Sequence, residues 1–109
     1  MKDDRERLFD MIEAIDLIEK YAVQGEEAFA NDELIRNWMV RHLQILGEAA
    51  ARISGDFQNR YSEIPWSKII GMRNILVHDY FAIDIEVVWS VVEKELPKLK
   101  SQIQNILDR

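Results

Sequence analysis

The chain predicts an all-α fold, an antiparallel bundle of four to five helices forming one domain over residues 1–109. Two observations carry that prediction. Apolar residues recur at i, i+3, i+4 and i+7 along most of the sequence, the period of a helix buried on one face. The breaks between these runs are short, which favours neighbouring helices packed back to back. At 109 residues there is room for one modest core, with no internal repeat, low-complexity tract or linker.

In the first segment Leu8, Met11, Ile12, Ile15, Ile18 and Ala22 keep the helical spacing, and Gly25 is the expected stop. Asn31 is the expected cap of a second helix, with Asp32 and Glu33 well placed against the positive end of its dipole. That helix carries Ile35, Trp38, Met39, Leu43, Leu46, Ala50 and Ile53, and Ser54-Gly55 closes it. Between Trp38 and Leu46 its apolar surface is wider than one stripe, so the helix is either central or shared with a partner. Residues Asp56 to Ile64 read as a connecting loop, and Pro65 suits the first turn of a third helix running through Trp66, Ile69, Ile70 and Leu76. Asp84 is the expected cap of a fourth. The run Val87-Val88-Trp89-Ser90-Val91-Val92 is rich in β-branched residues, but Ile85, Val88, Trp89, Val92 and Leu96 hold helical spacing. Pro97 kinks or ends that helix, and Leu99, Ile103, Ile106 and Leu107 continue a stripe to the end.

Composition narrows the chemistry. Hydrophobic residues at 48% and charged residues at 31% are ordinary for a soluble globular chain. The absence of cysteine excludes disulfide scaffolds, thiolate zinc sites and cysteine nucleophiles. Two distant histidines and no spaced acid cluster give metal binding little support. Walker, Rossmann and serine-hydrolase motifs are absent. The start, Met1-Lys2-Asp3-Asp4-Arg5-Glu6, lacks the apolar run of a signal peptide, and no apolar stretch approaches a membrane span. A cytoplasmic location is the expectation. The net charge of −6 argues against broad affinity for nucleic acid, so any basic surface that grips phosphate has to be local.

The densest chemistry lies in Gly71-Met72-Arg73-Asn74-Ile75-Leu76-Val77-His78-Asp79-Tyr80-Phe81. Arginine forks onto phosphate with a fixed charge, and histidine exchanges protons near neutral pH. Together they suffice for cleaving a phosphodiester without a metal. At about 100° per residue, Asn74 and His78 share a helix face, whereas Arg73 and His78 diverge by roughly 140°. Either the helix unwinds near His78, or the site combines two chains about a two-fold axis. On local sequence alone, His78 reads more often as a structural residue at a helix end than as a catalytic one. Arg73 reads as an ion-pair or capping residue, Asn74 as a backbone binder and Tyr80 as a half-buried aromatic. His42, in the apolar helix, reads as structural, and Trp38, Trp66 and Trp89 as core or interface anchors. Glu48 and Arg52 have the i, i+4 spacing of a surface ion pair.

The string Arg73-x4-His78-x-Tyr80, with polar Asn74 after the arginine, resembles the signature of the HEPN superfamily and of its HepT-like toxin branch. Trp66, Ile69-Ile70-Gly71, Phe81, Asp84 and Trp89 around it, and Gly47-Glu48-Ala49 upstream, extend the resemblance over nearly the whole chain. It implies a homodimer with the motif in an interfacial cleft, acting as a metal-independent endoribonuclease toxin of a type II toxin–antitoxin pair. Arg73 and His78 would be catalytic, with Asn74 orienting the histidine. The partner would be a minimal nucleotidyltransferase antitoxin that adds AMP to Tyr80. The rival reading is a non-catalytic helical subunit that binds or presents substrate to a nucleotidyltransferase. No cofactor or metal is expected under either.

Overall fold

In the computed structural model, which describes residues 2–109, Asp3 starts the first helix. Its carboxylate accepts the Glu6 amide at 2.8 Å, satisfying one of the donors that a helix start leaves open. Helix α1 runs from Asp4 to Ala22 and buries Leu8, Met11, Ala14, Ile15 and Ile18 on one face, as the periodicity requires. Burying each Leu, Ile or Met in full is worth about 1.5–3 kcal/mol. Gly25 stops the run, and its φ of +92° is a left-handed conformation that disfavours a side chain. Met1, the first residue of the expected domain, lies outside the described residues.

The next two elements correct the sequence reading. A short helix, α2 (Glu26–Asn31), fills the expected gap, so Asn31 ends one helix instead of capping the next. Asp32 is the true cap of α3 (Glu33–Ala51), accepting from Leu34 and Ile35 amides at 3.0 and 3.2 Å. Helix α3 is central: it packs against α1 on one side and against the helix bearing the motif on the other. Its wide apolar surface is thereby used inside one chain, with Met39, Val40, Leu43 and Leu46 all buried. Beyond its end, Ile53 is buried outside the helix.

The expected loop over 56–64 also contains a helix, α4 (Gly55–Arg60). Ser54 caps it, accepting the Phe57 amide at 3.2 Å, and its hydroxyl donates to Asp4 at 2.6 Å, tying this corner to α1. Pro65 sits one residue before α5 (Trp66–His78), where its carbonyl accepts from Lys68 and Ile69. A single 3-10 turn, Tyr80–Ala82, follows α5.

Asp84 caps the last unit as expected, accepting from Glu86 and Val87 amides at 3.0 and 3.2 Å. Helix α6 (Ile85–Ser90), a π-helical stretch (Val91–Glu95) and α7 (Leu96–Leu107) then form one continuous rod. Pro97 does not end it. The proline lacks an N–H and its ring crowds the carbonyl four residues back, and the widened turn just before it makes room. The rod meets α2 through Trp89, whose ring lies 6.0 Å from that of Phe29, and meets α1 at and beyond the π turn. Lys100 bridges Asp16 at 2.7 Å and Glu19 at 3.3 Å across that seam. No strand occurs among the described residues, and no helix is long and apolar enough to cross a membrane.

Candidate active site

Helix α5 is positioned by how closely it lies on α3. A Cβ built at Gly47 would overlap that of Arg73, come 2.8 Å from its Cγ and 3.2 Å from the Ile69 carbonyl. Only glycine fits there. Trp66 and Leu76 are buried and Ile69, Ile70 and Met72 pack on the core, while Gln44 of α3 donates to the Leu76 carbonyl at 3.2 Å. That bond satisfies one of the acceptors left open at a helix end.

Arg73 therefore points inward along α3. Its Nη1 donates to the Asn74 Oδ1 at 3.0 Å, and its Nη2 lies 3.8 Å from Glu48 Oε1. The same Glu48 oxygen lies 4.0 Å from Arg41 Nη1. Two guanidinium groups thus share one carboxylate, leaving a local excess of positive charge in an acidic chain. The Arg73 side chain keeps 31% of its surface exposed, so its fork can meet a phosphate. Its Nε is buried and makes no hydrogen bond among the described residues.

The helix stays regular up to His78: the Asp79 amide donates to the Ile75 carbonyl at 2.8 Å, and Asp79 is the C-cap. Of the two geometries open to the sequence, unwinding before His78 does not occur. His78 is exposed on the outer side of α5, with no hydrogen bond or ion pair among the described residues. Asn74 is exposed on the same side, but its oxygen is committed to Arg73 and not to the histidine. Tyr80 is half-buried in the 3-10 turn, and its hydroxyl donates to Asn37 Oδ1 of α3 at 2.6 Å. Phe81 beside it is fully exposed, and Ile75 is 55% exposed.

The remaining candidates fall elsewhere. His42 packs at a tilt against Trp38, ring centroids 4.6 Å apart, on the side facing α1. Burial and then the charge of Arg41 push its pKa down, against a smaller opposing pull from Glu13. Trp38 donates its indole N–H to the Leu17 carbonyl at 2.8 Å and Trp66 to the Tyr61 carbonyl at 3.1 Å, so both anchor the fold. The expected Glu48–Arg52 pair does not form; Glu48 serves Arg73 and Arg41 instead. Asn37, Gln44 and Glu48's link to Arg73 were beyond sequence reasoning, because each contact spans at least 25 residues. No group of three or more His, Asp or Glu side chains among the described residues is arranged to hold a metal.

One cavity, of about 410 Å³, is a groove between α5 and the π turn floored by Leu43, Leu46 and Met72. A second, about 260 Å³, lies between α1 and α3. Neither is lined by Arg73, Asn74, His78 or Tyr80. The motif's polar residues lie outside both cavities.

The all-α fold is that of a helical HEPN-like domain. The family described as Ribonuclease HepT-like matches residues 11–106, and the chain belongs to that HepT-like family. Among curated relatives it is similar to a protein of Methanocaldococcus jannaschii named "Putative RNase", 36% identical over 94% of this chain and 95% of that one. It is equally similar to the "Probable ribonuclease HepT" of Thermococcus cleftensis, 36% identical over 94% of both chains. A "Putative RNase" of Caldanaerobacter subterraneus is 36% identical over 85% of this chain and 83% of its own. No solved structure matches the chain.

Proposed function

We propose that this protein is a metal-independent endoribonuclease whose active cleft forms between two copies of the chain, acting as the toxin of a toxin–antitoxin pair. The observation that carries the dimeric site is the regularity of α5 up to His78. On a regular helix Arg73 and His78 point about 140° apart, so converging on one phosphate requires a second copy. The outer stripe of α5 supports this. Ser67, Gly71, Asn74, Ile75 and His78 share it, and nothing lies within 4 Å of where a Gly71 Cβ would stand. A mid-helix glycine costs about 1 kcal/mol against alanine, and no contact within the chain accounts for it. A close neighbour outside the chain does.

The chemistry follows from the side chains. His78 of one copy withdraws the ribose 2′-OH proton while the other copy's His78 protonates the leaving 5′-oxygen. Arg73 stabilises the charge that builds on the phosphorane. The 2′-OH attacks its own phosphate, so the product is a 2′,3′-cyclic phosphate and DNA is inert. The shared excess of charge at Arg41 and Arg73 supplies the local attraction that the net charge of −6 withholds. Tyr80, two residues beyond His78, is the site where a minimal nucleotidyltransferase antitoxin adds AMP. The bulky anion then competes with RNA for Arg73.

That net charge favours a second reading, a non-catalytic subunit that presents substrate to a nucleotidyltransferase. RNA cleavage in EDTA separates the two. Arg73→Ala and His78→Ala should each lose a hundredfold or more of the activity while keeping the fold, the scale expected for transition-state contacts to a phosphate. Cleavage that disappears with chelator, or survives both substitutions, removes the nuclease reading.

A further inference from the structure

The Tyr80 hydroxyl is not free. It donates at 2.6 Å to an amide 43 residues earlier in the chain, so the turn that ends the motif is fastened to α3 at one polar point. We propose that Asn37 is a positioning residue for Tyr80: its amide holds the phenol of the unmodified protein and, turned over, holds the phosphate of the nucleotide-bearing one. This rests on Tyr80 being the modified residue.

The argument is one of donors and acceptors. A phenol donating to Asn37 Oδ1 has its proton directed at α3 and its lone pairs directed away from it, toward an incoming nucleotide. Transfer forms a bond between Tyr80 Oη and the α-phosphorus of ATP and breaks that phosphorus's bond to the bridging oxygen. Pyrophosphate leaves, and the phenolic proton passes to solvent. The product oxygen has no hydrogen, so the bond seen here cannot survive modification. Asn37 Oδ1 would then face anionic phosphate oxygens. An amide resolves this by rotating about its last bond, because the same group carries two N–H donors. A carboxylate cannot: aspartate would hold the free phenol equally well and repel the phosphate. No other side-chain hydrogen bond among the described residues occupies Asn37, and the residue is exposed, so the rotation meets no obstacle.

Asparagine is thus the residue type that serves both states, and the substitutions Asn37→Asp and Asn37→Ala separate them. The free state is read by hydrogen–deuterium exchange on the protein alone. Asn37→Ala should speed exchange at Asp79–Ile83 by about fivefold, the loss of one hydrogen bond between neutral groups, with α1 unchanged. Asn37→Asp should stay near wild type. Equal exchange in wild type and Asn37→Ala overturns the fastening. The modified state is read by intact mass over time, with ATP, magnesium and a purified minimal nucleotidyltransferase of demonstrated activity. Asn37→Asp should take up AMP at least tenfold more slowly than wild type, and Asn37→Ala a few-fold more slowly. Wild-type rates in both variants overturn the role of Asn37 while leaving Tyr80 as the site. No adduct on wild type, or an adduct on Tyr21 or Tyr61, overturns the Tyr80 reading itself and this inference with it.

Discussion

Against α3 the motif helix lies so close that Gly47 has no room for a methyl group, whereas on the opposite side Gly71 stands over open space. The inner face holds Arg73 beside Glu48 and is settled by contacts within the chain. The outer face holds Asn74, Ile75 and His78, exposed, with no intrachain use for an apolar isoleucine or a flexible glycine. The two faces therefore divide the motif. One fixes a cation by packing, and the other offers a proton-transfer group to whatever approaches.

Gly47→Ala attacks the inner face and should have the largest effect on stability. The new methyl meets the start of the Arg73 side chain and a backbone carbonyl, neither of which can swing away, so α5 has to shift. A loss of about 1–3 kcal/mol is expected, read from the denaturant midpoint, together with reduced RNA cleavage as Arg73 leaves Glu48. A midpoint unchanged from wild type would mean the helices are not so closely seated.

Gly71→Ala tests the outer face with the opposite sign. Alanine is the better helix former by up to about 1 kcal/mol, and within one chain it meets nothing, so the separated chain gains stability. If two copies cross at this face, the methyl obstructs them. Light scattering at micromolar concentration should give about twice the chain mass of 12.9 kDa for wild type and a lower mass for the variant, with weaker cleavage. A variant that melts higher with mass and cleavage unaltered would show that the outer face of α5 meets no second copy.

The smallest effect belongs to His42, far from the motif. Its folded pKa lies below the ordinary 6.5 because burial penalises the charged ring. The unfolded chain therefore takes up the proton first, and stability falls as pH drops below about 6.5, until the folded ring also titrates. His42→Gln should flatten this acid limb while leaving cleavage at pH 8 near wild type. A limb of unchanged slope would assign the acid sensitivity to other groups.

What could be read from the sequence was what local rules encode. The stripe from Leu8 to Ile18 and the Asp84 cap needed only spacing and side-chain type. The short helices α2 and α4 were read as breaks, because six residues carry too few turns for a period to emerge. Asn31 and Asp32 are adjacent and equally good caps, and the extra helix ending at Asn31 decided between them. Around the motif, local spacing suggested Glu48 with Arg52, and tertiary packing gave Glu48 to Arg73. Fastening Tyr80 to Asn37 has no local signal, since an exposed asparagine early in a helix is consistent with many surroundings. The resemblance found the motif residues themselves, but not what holds them.

The π turn before Pro97 gives the C-terminal rod an unusual tolerance. The Leu96 amide reaches back five residues to the Val91 carbonyl, so this stretch carries one residue more than an ordinary helix of the same height. Side chains there can change and leave the path intact, since Glu93, Lys94 and Glu95 face water. Removing one of these three would restore a regular helix of the same height, with everything beyond it still in phase. Leu99, Ile103 and Ile106 would keep their places in the core and Lys100 its place beside Asp16, while the Pro97 ring would lose the room the wide turn gives it. The same deletion inside α7 would instead rotate all that follows by about 100°, so the turn is the one stretch of the rod that can absorb a change in residue count.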